Sequence, residues 1–285
     1  MPGVKLFFLL AIWLAAPPLL AEQVFTDDLG NVIHLPMPPQ RIVSLSPHIT
    51  ELLYAAGAGK RLVAAVDYSD YPEAATRLPR IGNAERVDHE RLLQLQPDLI
   101  IAWGSGTPAR EIAALRRLGI PLYLSEPRRL SAIGAQLRVF GEIAGTAAQA
   151  EIAAQDYKRH LVALRARYAI NPHRTLFYQL AQQPLLTVSR EHLINDVLSL
   201  CGGVNPFADV SALTPRVDIE AVLAAHPEAV VFALYPGESA AAVQAFWQRY
   251  GLPATTRYIG VPGDYIHRAT PRVLEGVERI CAGLK

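Results

Sequence analysis

From Thr146 to Tyr168 the chain reads TAAQAEIAAQDYKRHLVALRARY, with no glycine and no proline. Alanine orders no side chain in a helix, and straight side chains keep most of their rotamers there, so the spacing and composition predict one long helix. Thr146 follows Gly145 and is placed to cap the first turn through its hydroxyl. Tyr157, Leu161, Leu164 and Tyr168 recur at spacings of four, three and four, which puts them on one face. Arg165 and Arg167 fall in the last turn, where positive charge suits the exposed carbonyls. Asn171-Pro172 ends the helix, because proline disfavours helical backbone in the residue before it. At 1.5 Å per residue the element is roughly 33 Å long, about the width of a small domain. An ordinary surface helix could read the same way. This one lies near the middle of 285 residues, with similar sequence on either side.

That similarity is an internal repeat. Asp88-x-Glu90-x-x-Leu93-x-x-x-Pro97-Asp98 returns as Asp218-x-Glu220-x-x-Leu223-x-x-x-Pro227-Glu228, each position offset by 130. An apolar strand follows each copy, Leu99-Ile100-Ile101 and Ala229-Val230-Val231. Leu118-Gly119-Ile120-Pro121 is echoed by Tyr250-Gly251-Leu252-Pro253. Outward from the helix, short apolar strands alternate with helices. Strands are expected at 41–45, 62–66, 99–103, 121–124 and 175–180, and helices at 88–98, 109–118 and within 189–200. Such alternation implies parallel sheets covered on both faces. The expected fold class is α/β, with two homologous lobes joined by one bridging helix. The expected divisions are 22–145 for the N-terminal lobe, 146–170 for the bridge and 171–285 for the C-terminal lobe.

Met1 to Lys5 is a short basic start, Leu6 to Ala16 an apolar run, and Pro17 to Ala21 a cleavage region before Glu22. Residues 1–21 therefore read as a secretory signal peptide, too short in its apolar run for a good membrane span. Its removal leaves 26 basic and 26 acidic residues, so no basic surplus is available to neutralise nucleic-acid phosphates. An exported chain with two cysteines, here Cys201 and Cys281, usually pairs them, although two separate buried thiols fit the residues as well. Paired, they would close a loop of about 80 residues, roughly 4 kcal/mol of stabilisation in the chain-entropy model.

Most enzyme signatures fail. The eight histidines show no H-x-x-x-H or H-x-H spacing for a metal, and no cysteine joins them. Ala56 to Arg61 invites a phosphate-loop reading, but Tyr54 stands where its first glycine belongs and Arg61 where Ser or Thr is required. Gly104-Ser105-Gly106 lacks the flanks of a nucleophile elbow. No glycine-rich dinucleotide motif follows a strand, and no carboxylate pair stands out as acid and base. What remains are aromatic and polar residues at the carboxyl ends of expected strands, which border the ligand crevice in open α/β sheets. They are Tyr68 and Tyr71, Trp103, Leu185-Leu186, Tyr235-Pro236 and the run Asp264-Tyr265-Ile266-His267-Arg268. Two lobes would gather them in an interlobe cleft.

At these residues the chain resembles the periplasmic cobalamin-binding components of ABC importers. The resemblance covers almost all of the chain after the signal, from Pro39 to Cys281. It rests on Ser46-Pro47-x-x-Thr50-Glu51-Leu52, Tyr68-Ser69-Asp70-Tyr71-Pro72, Glu90-Arg91, Pro97 to Trp103, Cys201-Gly202-Gly203-x-Asn205-x-Phe207 and Arg268-Ala269-x-Pro271-Arg272. Several of these motifs are shared with haem and iron-siderophore binders of the same fold, which form the alternative reading. The resemblance implies two lobes on a rigid helix and a Cys201–Cys281 disulfide. It implies corrin contacts at Tyr68, Trp103 and Leu186, and polar ligand contacts at Asp264 and Arg268. It implies that Glu90 and Glu220 dock onto the membrane permease, one from each lobe, in an importer whose permease works with its ATPase. It also implies a non-enzymatic, periplasmic protein, monomeric when free, with the corrinoid as cargo and no resident cofactor or metal. Tryptophans of the family align with Ala84 and Thr214 here, which removes stacking area from the pocket rim. Tyr235 and Tyr265 are the candidates to replace it.

Overall fold

The computed structural model describes residues 22–83 and 85–285. The signal-peptide expectation for residues 1–21, and Ala84, lie outside the described residues. The chain begins with an antiparallel hairpin, β1 (Gln23–Thr26) and β2 (Val32–Leu35). The first half continues through β3 (Ile42–Ser44), α1 (Pro47–Ala55), β4 (Leu62–Ala65), α2 (His89–Gln94) and β5 (Leu99–Trp103). It closes with α3 (Ala109–Arg117), β6 (Leu122–Ser125) and α4 (Leu130–Ala144). After α5 (Ala147–Tyr168), the second half holds β7 (Arg174–Gln179), a small hairpin of β8 (Ala181–Gln182) and β9 (Leu185–Leu186), and α6 (Leu193–Leu200). It ends through β10 (Gly203–Val204), α7 (Ile219–Ala224), β11 (Ala229–Leu234), α8 (Ala240–Arg249), β12 (Arg257–Pro262), α9 (Gly263–Ile266) and α10 (Val273–Gly283).

Two four-stranded sheets result, ordered β4-β3-β5-β6 and β10-β7-β11-β12, and every pairing within them is parallel. With the β8–β9 hairpin set aside, both sheets have the same order, second-first-third-fourth along the chain. The sequence repeat is thus a repeat of topology. Its capped helices match in detail. Asp88 accepts from the Arg91 backbone N–H at 3.0 Å, and Asp218 accepts from the Ala221 N–H at 2.7 Å. Each closes the first turn of its helix, α2 or α7, and satisfies a donor that has no partner within the helix.

Strand periodicity explains why three apolar clusters form. Successive side chains point to opposite faces, and both faces of these sheets are covered. Leu99 and Ile101 of β5 join the central cluster, while Ile100 and Ala102 join an outer one with Val43 and Leu115. In β11, Ala229 and Val231 face the centre, while Val230 and Phe232 face an outer cluster with Phe177 and Trp247. The central cluster runs unbroken from Ile42 and Leu52 through Tyr157, Leu161, Leu164 and Tyr168 of α5 to Leu176 and Val277. The long helix therefore shares one core with both halves, and the expected apolar face is the face it buries. Helix α4 lies close against it: a β-carbon on Gly141 would overlap Ala150.

The expected Thr146 cap is not made. Thr146 is the N-cap residue of α5, but its hydroxyl donates to the Ala56 carbonyl at 2.7 Å instead of accepting from its own helix. A carbonyl exposed at the end of α1 takes the hydroxyl proton, which ties the start of α5 to the first lobe. Cys201, at the end of α6, is disulfide-bonded to Cys281 in α10 across 80 residues. No helix of the described residues is long and apolar enough to cross a membrane.

Candidate ligand cleft between the lobes

A cleft of about 410 Å³ opens where the carboxyl ends of the two sheets face each other. Equivalent strands of each half build its walls. The end of β3 leads to His48, and the end of β7 to Leu180. The end of β5 supplies Trp103, and the end of β11 supplies Tyr235. The segments after β6 and β12 supply Glu126 to Arg128, and Ile266, His267 and Ala269. In each sheet the order reverses between the first and third strands, the crevice where ligands bind in open α/β sheets. Here the two crevices face one another.

Two glycines make room for the aromatic walls. A side chain on Gly106 would overlap the six-membered ring of Trp103, and one on Gly263 would overlap the Tyr235 phenol. The Gly104-Ser105-Gly106 loop is therefore a backing for Trp103. Trp103 is half-buried and meets His48 edge-on, with ring centroids 5.3 Å apart. Half-buried aromatic rings with apolar neighbours suit a broad, flat ligand.

Three histidines and a tyrosine join Ser105, Thr214 and the Glu126–Arg128 pair as the polar groups of the cleft. His48 is buried, with Nδ1 2.7 Å from the Ser46 hydroxyl and Nε2 unpartnered. His192 is the N-cap of α6, and its Nδ1 accepts from the Ile194 N–H at 3.1 Å. His267 lies between two phenols: Nε2 is 2.8 Å from the Tyr178 hydroxyl and Nδ1 2.6 Å from that of Tyr235. Burial disfavours the imidazolium in all three. It pushes His48 down to about 3, helped by the charge of Arg268, and His267 down to about 4. His192 is lowered to about 4 by burial, then by His267 and Arg128. The cleft thus carries neutral imidazoles. Among the described residues no group of three or more His, Cys, Asp or Glu is placed to hold a metal ion.

The sequence-predicted ligand contacts divide between two places. Trp103 is on the wall. Leu186 lies in β9, one step from the wall, and its carbonyl accepts from the N–H of Leu180, which is on it. Thr214 lines the cleft and Tyr265 does not. Asp264, Arg268 and Tyr68 belong to an ion cluster beside the cleft. Arg268 is 9% exposed, and its guanidinium donates to Glu51 at 2.8 Å, to Asp70 at 2.7 Å and to the Tyr68 carbonyl at 3.1 Å. Asp264 pairs with Arg268 at 2.8 Å, and Arg272 donates twice to Glu51, at 2.9 and 2.6 Å. Arg272 also stacks on the Tyr71 ring at 3.9 Å. Burial alone would lift the Asp70 carboxyl; the bond from Arg268 overrides it and holds that carboxyl below its ordinary value. Tyr68 has φ +62°, uncommon for a residue with a side chain, and the residue is 79% exposed. Glu90 and Glu220 stand exposed in the first turns of α2 and α7, at matching places of the repeat.

The histidines were the residues that sequence reasoning missed. His48 follows the end of β3 and His267 sits inside a strand-end run already singled out, so their position carried a signal. His192 carried none, because its segment reads as a generic helix start.

Residues 42–249 match the family model described as "Periplasmic binding protein". A protein of Vibrio cholerae serotype O1 named "Vitamin B12-binding protein" is 39% identical over 259 residues, 90% of this chain and 92% of that one. The crystal structure of the periplasmic vitamin B12 binding protein BtuF of Vibrio cholerae superposes with a TM-score of 0.75 at 38% identity, covering 87% of this chain and 97% of that one. The periplasmic heme-binding protein RhuT from Roseiflexus sp. RS-1 is similar at 25% identity with a TM-score of 0.73, over 86% and 97% of the two chains. On the family match across most of its length, with its two parallel sheets joined through one long helix, the chain belongs to the periplasmic binding proteins.

Proposed function

We propose that this protein is a carrier that captures cobalamin or a related corrinoid in the interlobe cleft and hands it to the membrane permease of an ABC importer. The observation that carries the reading is the cleft itself: aromatic walls and neutral imidazoles, in a chain 39% identical to a vitamin B12-binding protein. A corrinoid is a broad, largely apolar disc edged with amides, and it needs stacking area with a few hydrogen bonds more than it needs charge. Trp103 supplies the area on one side, with Leu186 behind the opposite wall. Tyr68, Asp264 and Arg268, joined in the ion cluster, supply the further ligand contacts. The lobes are taken as 22–145 and 171–285, with 146–170 as the bridge, and residues 1–21 as the signal that sends the chain to the periplasm. The protein acts by binding, without catalysis, and travels as a monomer.

Calorimetric titration of the chain from Glu22 onward with cyanocobalamin, cobinamide and haemin tests the reading. Tight one-to-one binding of a corrinoid, well above any response to haemin, is expected. Binding of haemin alone would move the protein to the haem carriers. The docking role of Glu90 and Glu220 has its own test. Glu90→Ala with Glu220→Ala should leave corrinoid affinity unchanged and weaken association with the permease. An equal loss of corrinoid binding would remove that role.

A further inference from the structure

Hydrogen-bond bookkeeping at the second wall of the cleft fixes where two protons sit. Tyr178 is fully buried, and His267 Nε2 is the one partner of its hydroxyl among the described residues. A buried hydroxyl needs an acceptor for its proton, so Tyr178 donates to Nε2. A neutral imidazole carries one N–H, which then lies on Nδ1 and donates to the Tyr235 oxygen. That leaves the Tyr235 hydroxyl proton free, on a residue that is 48% exposed and lines the cleft. The same reasoning applies to His192. Its Nδ1 accepts from the Ile194 N–H, so in the neutral ring the proton is on Nε2, at the edge left to the cleft.

We propose that Tyr235 and His192 are the specificity-determining hydrogen-bond donors of the cleft, their protons aimed outward by the Tyr178–His267 pair and by the α6 N-terminus, and that they read neutral carbonyl acceptors on the ligand edge. The surroundings disfavour an anionic acceptor. Glu238 accepts from the Tyr235 N–H at 2.8 Å, and Asp264 is close enough to raise the Tyr235 phenol, after burial. The one cation on the wall, Arg128, faces Glu126 at 3.4 Å. Amide carbonyls fit such a site; propionates or other carboxylates do not. The assignment rests on the corrinoid reading for the ligand, but the proton positions stand without it.

The test has two arms on the chain from Glu22 onward. Nitrogen-15 NMR of the ligand-free protein at pH 7 should show His267 protonated on Nδ1 and His192 on Nε2; the opposite tautomer at both would overturn the proposal. In the second arm, Tyr235→Phe and His192→Gln should each weaken cyanocobalamin binding roughly three- to tenfold, the range of a single hydrogen bond. A cyanocobalamin derivative with a ring-edge amide hydrolysed to carboxylate should bind wild type more weakly than its parent. Wild-type affinity in both variants would overturn the donor assignment while leaving the carrier reading intact. Failure of wild type to bind cyanocobalamin would overturn the carrier reading and, with it, the amide-reading role.

Discussion

Two groups of polar side chains meet at residues 264–272 and are built on opposite principles. Ile266, His267 and Ala269 line the cleft, while Arg268 between them turns away to Glu51 and Asp70 of the first lobe. On the cleft side the imidazoles are neutral, one Glu126–Arg128 pair supplies the charge, and some hydrogen-bonding capacity is unused. On the other side every charge is matched: Glu51, with a side chain 2% exposed, receives both Arg268 and Arg272. A ligand surface must leave donors unspent, whereas a buried joint between lobes must leave none. The difference separates side chains open to the cleft from side chains that tie the two halves together. Arg268, an expected ligand contact, turns its charge to Glu51 and Asp70 in this structure.

The comparison breaks most visibly at Glu51. Glu51→Gln would take from Arg272 the carboxylate it donates to twice and leave Arg268 with Asp70 and Asp264, a loss at the lower end of the about 3–5 kcal/mol expected for a broken buried pair, read in the urea unfolding free energy. A loss below about 1 kcal/mol would mean that the cluster is not the joint described here. The opposite side should respond in binding. Trp103→Ala is expected to cost at least about 1 kcal/mol of corrinoid affinity, roughly fivefold, by titration. Unchanged affinity would place the ligand elsewhere.

The pH response of the cleft histidines is read in stability, apart from these substitutions. Their folded values, about 3 for His48 and about 4 for His192 and His267, lie below the usual 6.5. Between those values the unfolded chain binds protons that the native chain refuses. The stability these groups contribute is therefore complete above about pH 6.5 and declines as the pH falls toward 4. The urea midpoint should drop from pH 7 to pH 5, with the three ring proton resonances still at their neutral positions. Imidazolium shifts for these residues at pH 5 would contradict the neutral cleft.

Much of the fold was legible in the sequence because it is written in local signals. The four apolar side chains of α5, the Asp88 and Asp218 caps, and the strands after Pro97 and Pro227 all follow from spacing. Helices α4, α8 and α10 are absent from the expected elements. Strand ends located the cleft and Trp103. The division of labour within 264–272 was not legible, because it depends on which neighbours the backbone brings near. Arg268 finds Glu51 across 217 residues, and His267 finds Tyr178 across 89. Thr146 shows the same limit at a helix start, where a tertiary carbonyl outcompeted the local cap.

The most direct test of the central claim is a crystal structure of the chain grown with cyanocobalamin, read through the anomalous signal of cobalt. A single strong cobalt peak in the cleft, with the corrin ring between Trp103 and Tyr235 and the Glu51–Arg268 cluster intact, is the expected result. A cobalt peak outside the cleft, or a ring held through a displaced Arg268, would contradict it.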